Sequence, residues 1–405
     1  MKLPIIVACA IAVVSSFAED TELITGFVAS QDPVSRIVRA DFTLTEKAIF
    51  IVDVRTNIAP GSAETASIGA ENFKSLRNAL DELDVVPGNR VMPAGDYKLV
   101  WKPSKDWPNW KLENTVSIQV KAYRLASPPN YMVVDAKSGL SLENRLTFYE
   151  TAEDLPQGGL TNMIYKESKL VMRRIPAAGI KWRMGDPEST TTYAPRYITL
   201  TEDYYMAVFE FTKGQCRSFG LYTTTAAGDM TADQMHFTTV RGGTWPAGGH
   251  DAIANGTDLD KIRNRTGLKF DLPTSAQWEF ACRAGTGTTY YWGDSVSDIA
   301  EYETIGSAGK VGLHKPNGFG LYDMSGNLSE VTLDLWSDTP PESPLIDPPG
   351  PATGDDQDRR VMRGGRATTT TTTTAASYYR EKVHPYNANN KEGCRLCCPV
   401  ALPIE

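Results

Sequence analysis

The segment from Asp323 to Glu330, with the sequence DMSGNLSE, holds the residues best suited to chemistry in this chain. A carboxylate stands at each end, and a glycine lies between them. Calcium takes six to eight oxygen ligands, and a tight loop that contains glycine can direct carboxylates and backbone carbonyls toward one point. Such a segment can therefore hold calcium. The alternative is a turn whose acidic side chains only accept hydrogen bonds from backbone amides.

The cysteines outside the N-terminal leader are an odd number spread over a long chain: Cys216, Cys282, Cys394, Cys397 and Cys398. This pattern does not suit a disulfide framework. The run CRLCC has the spacing of half a zinc site, but no second cysteine pair lies nearby. We predict a buried last strand instead, with Cys394 and Cys398 on one face and Cys397 on the other.

Composition places these residues in a water-soluble, folded chain. Of 405 residues, 41% are hydrophobic and 22% are charged, which excludes wholesale disorder and a protein with many membrane spans. The 41 basic and 49 acidic residues give a net charge of −8, and the basic clusters are short. A nucleic-acid partner is therefore not expected.

The N-terminus has the features of a secretory signal over residues 1–18. Lys2 precedes an apolar run from Ile5 to Val14, and small residues end at Ala18. The apolar run is too short to cross a bilayer of about 30 Å, so no membrane span is expected. We predict a mature chain that starts near Glu19 and is secreted or periplasmic, most simply in a bacterium. Lipid anchoring through Cys9 is the alternative.

The elements that follow are strands. Residues 36–57, 97–101 and 116–123 are rich in β-branched and aromatic residues, and turn-rich stretches separate them. Helical periodicity occurs in this region only over residues 71–83. We predict an all-β sandwich over residues 19–126 and see no motif for chemistry in it.

A connector over residues 127–165 contains the strand-like run YMVVD and can add strands to either neighbour. The second domain is expected over residues 166–405. Near its end, residues 368–374 are all threonine. These β-branched polar residues have no apolar partner in the run, so we predict a surface loop or a solvated edge.

Six separated motifs occur in one order over about residues 170–400: IPAAGIKWRMGDPE from Ile175, YYMAVFEFTKGQC from Tyr204, TGLKFDLPTSAQWEFACRAG from Thr266, KPNGFGLYDMSGNLSEVTLD from Lys315, RVMRGG from Arg360 and EGCRLCCPV from Glu392. In these motifs the chain resembles the formylglycine-generating enzyme family, also called sulfatase-modifying factors. The resemblance implies an α+β fold class, with a C-type-lectin-like domain that follows the β-sandwich in the chain.

The third motif also carries local signals of a loop followed by a helix. Pro273 ends an extended segment, and Thr274 with Gln277 forms a capping-box pattern. Trp278 and Cys282 lie four positions apart on one helix face, which is most naturally the core. Trp278 is therefore predicted to pack in the core rather than to stack on a ligand.

The resemblance implies four calcium ligands in the fourth motif. They are the side chains of Asp323 and Glu330 and the backbone carbonyls of Gly326 and Leu328. Each of these positions has a usable oxygen. Three features depart from the family pattern. Ser329 and Val331 replace the tryptophans that usually flank the glutamate, and Asp271 stands where an arginine is expected before LPT.

The resemblance also defines what catalysis would need. Family oxidases hold copper between two cysteines that follow RGG, since thiolates suit Cu(I). Between Gly365 and Cys394 this chain has no cysteine, and the threonine run occupies that place. Iron-dependent relatives use a histidine triad in an added helical domain, whereas the histidines here are scattered: His236, His250, His314 and His384. We therefore assign no catalytic residue and expect no copper.

Three hypotheses about function remain. The first is a secreted, non-catalytic member that binds a protein, peptide or glycan through the loops of a calcium-stabilised scaffold, because a fold can persist after its chemistry is lost. The second is an enzyme of this fold with an unrecognised active site, for example an oxidoreductase of the non-haem-iron type. The third is a working formylglycine-generating oxidase.

Overall fold

The computed structural model describes residues 23–57, 65–69, 72–80, 89–106, 116–190, 193–222, 226–339, 344–355, 357–369, 371–386 and 392–404. The predicted signal sequence, residues 1–18, lies outside these ranges. The chain divides into two compact units. Unit 1 comprises residues 1–129 and 147–159, and unit 2 comprises residues 130–146 and 160–405. No helix in the described part of the chain is both long and apolar enough to cross a membrane.

The described strands are β1 Ile24–Gln31, β2 Val38–Leu44, β3 Ala48–Asn57, β4 Thr65–Ser67, β5 Arg77–Asn78, β6 Arg90–Met92, β7 Gly95–Trp101, β8 Val116–Tyr123, β9 Tyr131–Asp135, β10 Leu146–Tyr149, β11 Lys169–Ile175, β12 Ile180–Met184, β13 Arg196–Leu200, β14 Tyr204–Ala207, β15 Ser329–Leu335, β16 Leu345–Ile346, β17 Arg360–Arg363, β18 Arg380–Val383, β19 Glu392–Gly393 and β20 Cys397–Pro399. The described α-helices are α1 Pro103–Asp106, α2 Leu142–Arg145, α3 Ile164–Glu167, α4 Lys213–Phe219, α5 Phe237–Val240, α6 Asp258–Thr266, α7 Ser275–Arg283 and α8 Ile299–Tyr302.

Unit 1 consists of antiparallel strands in two sheets. One sheet has the strand order β1-β2-β7-β5, and in the other β3 pairs with β4, β6 and β8. The strands predicted over residues 36–57, 97–101 and 116–123 are confirmed as β2 with β3, β7 and β8. Alternating residues along them, among which are Phe42, Phe50 and Trp101, join one buried apolar cluster that draws on both sheets.

The helix suggested over residues 71–83 is wrong for the part that is described, residues 72–80. That segment holds turns and the short strand β5, which pairs with β7. Phe73 and Leu76 are buried in the unit 1 core. Their spacing imitates a helix, but the turn carries both side chains inward, and β5 satisfies its backbone by joining the sheet edge.

Unit 2 is built from short strands and short helices joined by long loops, so the chain as a whole mixes helix and strand. Strands β9, β11, β14 and β20 are neighbours in one sheet. The other sheets have the orders β12-β13-β16 and β18-β17-β15-β19. The YMVVD run of the connector forms β9, which pairs with β11 in register from Lys169 and Asp135 to Arg173 and Tyr131.

Helix α7 forms as its local signals predict. The Thr274 hydroxyl accepts a hydrogen bond from the Gln277 backbone N–H, and the Gln277 side chain accepts one from the Thr274 backbone N–H. Both halves of the capping box are therefore present. Trp278 and Cys282 are 1% exposed, which confirms that this face packs in the core.

The buried last strand is confirmed in β20, which pairs with β14 at Tyr205 and Cys398. The expectation that Cys394 and Cys398 share one strand face is wrong, because Cys394 lies before β20, outside a strand. The backbone leaves the ladder there and places the Arg395 guanidinium in the protein interior, where its donors meet carbonyls and a carboxylate.

Candidate functional site

The segment Asp323 to Glu330 lies in a buried turn that leads into β15. Asp323, Gly326 and Asn327 have φ values of 57°, 78° and 52°, all in the left-handed region. A Cβ on Gly326 would come within 2.2 Å of Glu303 Cγ, so the turn needs glycine for space as well as for conformation. Of the four residues predicted as calcium ligands, Asp323, Gly326 and Leu328 lie in this turn, and Glu330 is the second residue of β15.

Glu330 forms a fully buried ion pair with Arg395. The Arg395 Nη2 and Nε atoms lie 2.7 Å and 3.0 Å from Glu330 Oε1, and the two side chains are 0% and 1% exposed. The indole Nε1 of Trp278 donates to Glu330 Oε2 at 2.6 Å. Both carboxylate oxygens therefore already accept N–H donors.

Arg395 also connects this pair to the backbone of unit 2. Its Nη1 donates to the carbonyls of Ala207 and Val208, each at 3.0 Å, and its Nη2 donates to that of Tyr322 at 2.8 Å. The guanidinium thus joins β14, the turn before β15 and the C-terminal segment. A planar cation with five fixed donors is suited to this position.

Asp323 differs from Glu330 in its surroundings. It is 2% exposed, and its Oδ2 accepts the Gly312 backbone N–H at 2.7 Å. Its Oδ1 is buried and has no hydrogen-bond partner among the described residues. Burial raises the pKa of Asp323, while the Gly312 N–H and the Arg395 charge act in the opposite direction.

A third carboxyl group, Glu210, completes this buried cluster. It accepts the Leu328 backbone N–H at 3.1 Å and a hydrogen bond from the Asn327 side-chain amide. Burial first, and then the negative charges of Asp323 and Glu330, hold the pKa of Glu210 well above its ordinary value. We refer to Glu210, Asp323, Glu330 and Arg395 as the carboxylate cluster.

The carboxylate cluster fits calcium only in part. The unpartnered Oδ1 of Asp323 suits a cation, but Glu330 already shares its charge with Arg395 and its oxygens with four N–H contacts. Within the described ranges, no group of three or more His, Cys, Asp or Glu side chains is arranged to hold a metal ion. Calcium remains a prediction that rests on Asp323 and the carbonyls of Gly326 and Leu328.

The threonine run lies at the surface where it is described. Thr371, Thr372 and Thr373 are exposed, which confirms the predicted loop for these residues. The Thr371 backbone N–H donates to the Thr374 hydroxyl at 2.8 Å, and the Thr374 N–H donates to the Thr371 hydroxyl at 3.2 Å. The side chains thus stabilise a local turn and present hydroxyl groups to solvent.

The cysteines are free and buried in the described chain: Cys216, Cys282, Cys394, Cys397 and Cys398. Burial raises the pKa of each thiol, to about 12 for Cys216 and Cys282 and well above the ordinary value for Cys394 and Cys397. Thiols in such surroundings stay protonated, and the thiolate is the form that binds soft metals.

Stacked aromatic rings adjoin the threonine loop. The ring centroid of Trp292 lies 4.8 Å from that of Tyr290 and 5.1 Å from that of Tyr302, with interplanar angles of 6° and 9°. The Tyr290 hydroxyl donates to the Thr372 carbonyl at 3.0 Å. Tyr378 and Tyr379, which follow the run, pack with the same small cluster. We call Trp292, Tyr302, Tyr378, Tyr379 and residues 371–374 the threonine–aromatic face.

Sequence reasoning missed two members of the carboxylate cluster. Arg395 lies inside the EGCRLCCPV motif but was not paired with Glu330, because nothing local connects positions so far apart in the chain. Glu210 had a readable signal, since a lone acidic residue in the apolar run YYMAVFEF indicates a buried carboxyl group. The contact between His250 Nδ1 and Asp271 Oδ2 is likewise not predicted from the sequence, because 21 positions separate the two residues.

Residues 179–399 match the family model described as the sulfatase-modifying factor enzyme 1-like domain. Two curated proteins named formylglycine-generating enzyme are similar over a shorter segment. The Streptomyces coelicolor protein is 38% identical over 112 residues, which cover 23% of this chain and 34% of that protein. The Mus musculus protein is 31% identical over 110 residues, which cover 23% of this chain and 29% of that protein. These alignments span about a third of each relative's length.

Two solved structures are similar to part of the chain. Treponema denticola variable protein 1 has 20% sequence identity and a TM-score of 0.48, with 57% of this chain and 96% of that chain covered. PvdO from Pseudomonas aeruginosa has 17% identity and a TM-score of 0.47, with 56% and 94% covered.

Proposed function

This chain belongs to the sulfatase-modifying factor family through residues 179–399, and we propose that it is a secreted, non-catalytic member that binds a protein, peptide or glycan. The observation that carries the proposal is the exposed threonine loop that stands where the family oxidases have their copper-binding cysteines. A hydroxyl group is a hard, neutral donor and a poor ligand for Cu(I).

The remaining cysteines do not restore such a site. Cys394, Cys397 and Cys398 are buried, and their thiol pKa values are raised by burial. Cys397 and Cys398 are consecutive residues of β20, so their side chains leave opposite faces of the strand. This placement supports a domain that keeps the family scaffold without its copper chemistry.

The threonine–aromatic face supports ligand binding. Aromatic rings offer flat apolar surfaces at a small cost in side-chain entropy, and hydroxyl groups both donate and accept hydrogen bonds. Trp292 and Tyr302 are half-buried, while Thr371 to Thr373 are exposed beside them. A surface of this composition suits the apolar faces and hydroxyl groups of a sugar, or the side chains of a peptide.

The scaffold part of the proposal has three elements. Unit 2 takes a C-type-lectin-like arrangement, unit 1 forms a β-sandwich, and a signal sequence that ends near Ala18 exports the chain. Support for the sandwich comes from the single apolar cluster that its two sheets share. An intact mass that starts within a few residues of Glu19 would support export with cleavage. A mature chain that begins at lipid-modified Cys9 would contradict it.

Catalysis is tested with the purified mature protein, copper, oxygen, a thiol reductant that supplies the two electrons needed to reduce O2 fully, and a CxPxR peptide. We expect mass spectrometry to show no aldehyde on the peptide cysteine. An aldehyde that disappears on mutation of Cys394 or Cys398 would overturn the non-catalytic proposal and favour the alternative of an enzyme with an unrecognised active site.

Binding is tested on arrays of immobilised glycans and displayed peptides. We expect that the glycans or peptides bound by the unmutated protein are not bound by the Trp292→Ala variant, which lacks the middle ring of the stack. Tyr386→Ala is the matched control, because Tyr386 is 66% exposed and lies outside the face. Retention that is equal in the two variants would contradict the assignment of this face.

A further inference from the structure

A pocket of unit 2, with a volume of about 450 Å³, shares no residue with the threonine–aromatic face. We propose that it binds an organic ammonium group, with the imidazole of His250 as the hydrogen-bond acceptor. The pocket is lined by His250, Asp271, Trp245, Glu202 and Asp347, among other residues. It is large enough for the head group and the apolar neighbour of a small amine.

His250 is held in one orientation. Its Nδ1 lies 2.8 Å from Asp271 Oδ2, and its ring centroid lies 4.8 Å from that of Trp245. The Trp245 indole is itself anchored, since its Nε1 donates to the Pro349 carbonyl at 2.7 Å. The His250 side chain remains 50% exposed, whereas that of Asp271 is 2% exposed. One edge of the imidazole is therefore fixed by the interior and the other is open to the pocket.

The groups around Asp271 determine which nitrogen of the His250 imidazole can accept a hydrogen bond. Arg241 Nε lies 2.9 Å from Asp271 Oδ1, and Arg263 Nη2 lies 3.5 Å from Oδ2. The Leu272 backbone N–H also donates to Oδ1, at 2.8 Å. Both Asp271 oxygens accept N–H donors, so Nδ1 of His250 acts as the donor to Oδ2, and in that tautomer of the neutral imidazole the lone pair lies on Nε2. This arrangement exists because Asp271 stands where the family pattern has arginine.

The charges around the pocket select a cation. Glu202 and Asp347 are exposed at its edge. Lys269 lies 3.3 Å from Asp251, so its charge is already balanced by a carboxylate. These two carboxylates would repel an anionic ligand. An ammonium group, in contrast, can donate an N–H to His250 Nε2 and is attracted by the carboxylates. Leu200 and Pro399 add apolar lining for the carbon atoms next to the ammonium group.

The test is calorimetric titration of the full mature chain at neutral pH with benzylamine. Benzyl alcohol and benzoate serve as neutral and anionic probes of the same shape. We expect benzylamine alone to bind, and His250→Phe to weaken its affinity by about tenfold or more, the effect of losing a hydrogen bond to a charged group. His250→Gln, which keeps a carbonyl acceptor, should retain part of the affinity. His384→Phe is the matched control and should change nothing.

A second arm compares Gly-Lys-Gly and Gly-Gln-Gly, both N-acetylated and C-amidated, so that the lysine ε-ammonium is the only charged group in either peptide. Binding of Gly-Lys-Gly without binding of benzylamine supports the proposal and identifies a lysine side chain as the ligand. Binding of benzylamine supports the proposal and identifies a free amine as the ligand. Failure of both ammonium probes to bind, a preference for benzoate, or an affinity that His250→Phe leaves unchanged would overturn it.

The positioning role of Asp271 has its own spectroscopic readout. Nitrogen-15 NMR of the neutral His250 imidazole should show a protonated Nδ1, and the Nε2 signal should shift when benzylamine is added. Asp271→Asn should redistribute the proton between the two nitrogens. If Asp271→Asn fails to fold, the His250 variants still decide the proposal, because His250 is half exposed.

Discussion

Replacement of Glu330 by glutamine tests the physical role that the structure gives to this residue. The change keeps the size of the side chain and removes its charge. Arg395 would then remain in the interior with its Nε and one Nη2 N–H facing a neutral amide, although its three carbonyl acceptors would stay in place. Loss of one partner from a buried ion pair costs about 3–5 kcal/mol, because the other charge is left uncompensated.

This cost is large compared with the usual stability of a domain, about 5–15 kcal/mol. With a urea slope of about 3 kcal/mol per molar, the unfolding midpoint should fall by roughly 1 to 2 M. The assay is urea unfolding followed by circular dichroism, once in calcium and once in a chelator. The fall should be the same in both conditions, since the partner of Glu330 is Arg395.

Glu301→Gln is the matched control for that experiment. Glu301 pairs with Lys315 at the surface, where their side chains are 56% and 60% exposed, so the same chemical change should leave the midpoint in place. A loss for Glu330→Gln that occurs only in calcium, with no change in chelator, would refute this reasoning and identify Glu330 as a metal ligand.

Three further predictions concern the same unit. Calcium should raise the melting temperature of the unmutated chain, by an amount that corresponds to about 2.7 kcal/mol at a hundredfold excess over Kd, and Asp323→Ala should abolish the increase. Equal melting temperatures in calcium and in chelator would contradict a calcium site in this turn. Burial raises the pKa of Glu210 above its ordinary value of 4.5, so the contribution of this residue to stability is full below pH 4.5 and is lost as the pH rises through the folded-state pKa. Glu210→Gln should therefore reduce the loss of unfolding free energy that urea titrations measure between acidic and neutral pH. The five buried thiols should not react with Ellman's reagent in the native protein and should all react in denaturant; rapid reaction of Cys394 in the native state would contradict its burial.

Local patterns predicted much of the secondary structure. The β-branched and aromatic residues of segment 36–57 predicted strands, and Thr274 with Gln277 predicted the start of α7, because these signals act between residues a few positions apart. The same local logic failed near Phe73 and Leu76, where spacing that imitates a helix belongs to a turn. Apolar residues at helical spacing show which side chains are buried but do not specify how the backbone bonds are satisfied.

By itself, the sequence determined the family, the strands β2, β3, β7 and β8 of unit 1 and the position of the acidic turn, since each depends on residues in order along the chain. The tertiary structure decided which groups balance the negative charge of the carboxylates in that turn. Arg395 is distant from Glu330 in sequence yet forms a buried pair with it, and His250 meets Asp271 only after the loop between them folds. A carboxylate in the sequence does not specify its partner, because ion pairs and hydrogen bonds depend on distance in space and on burial.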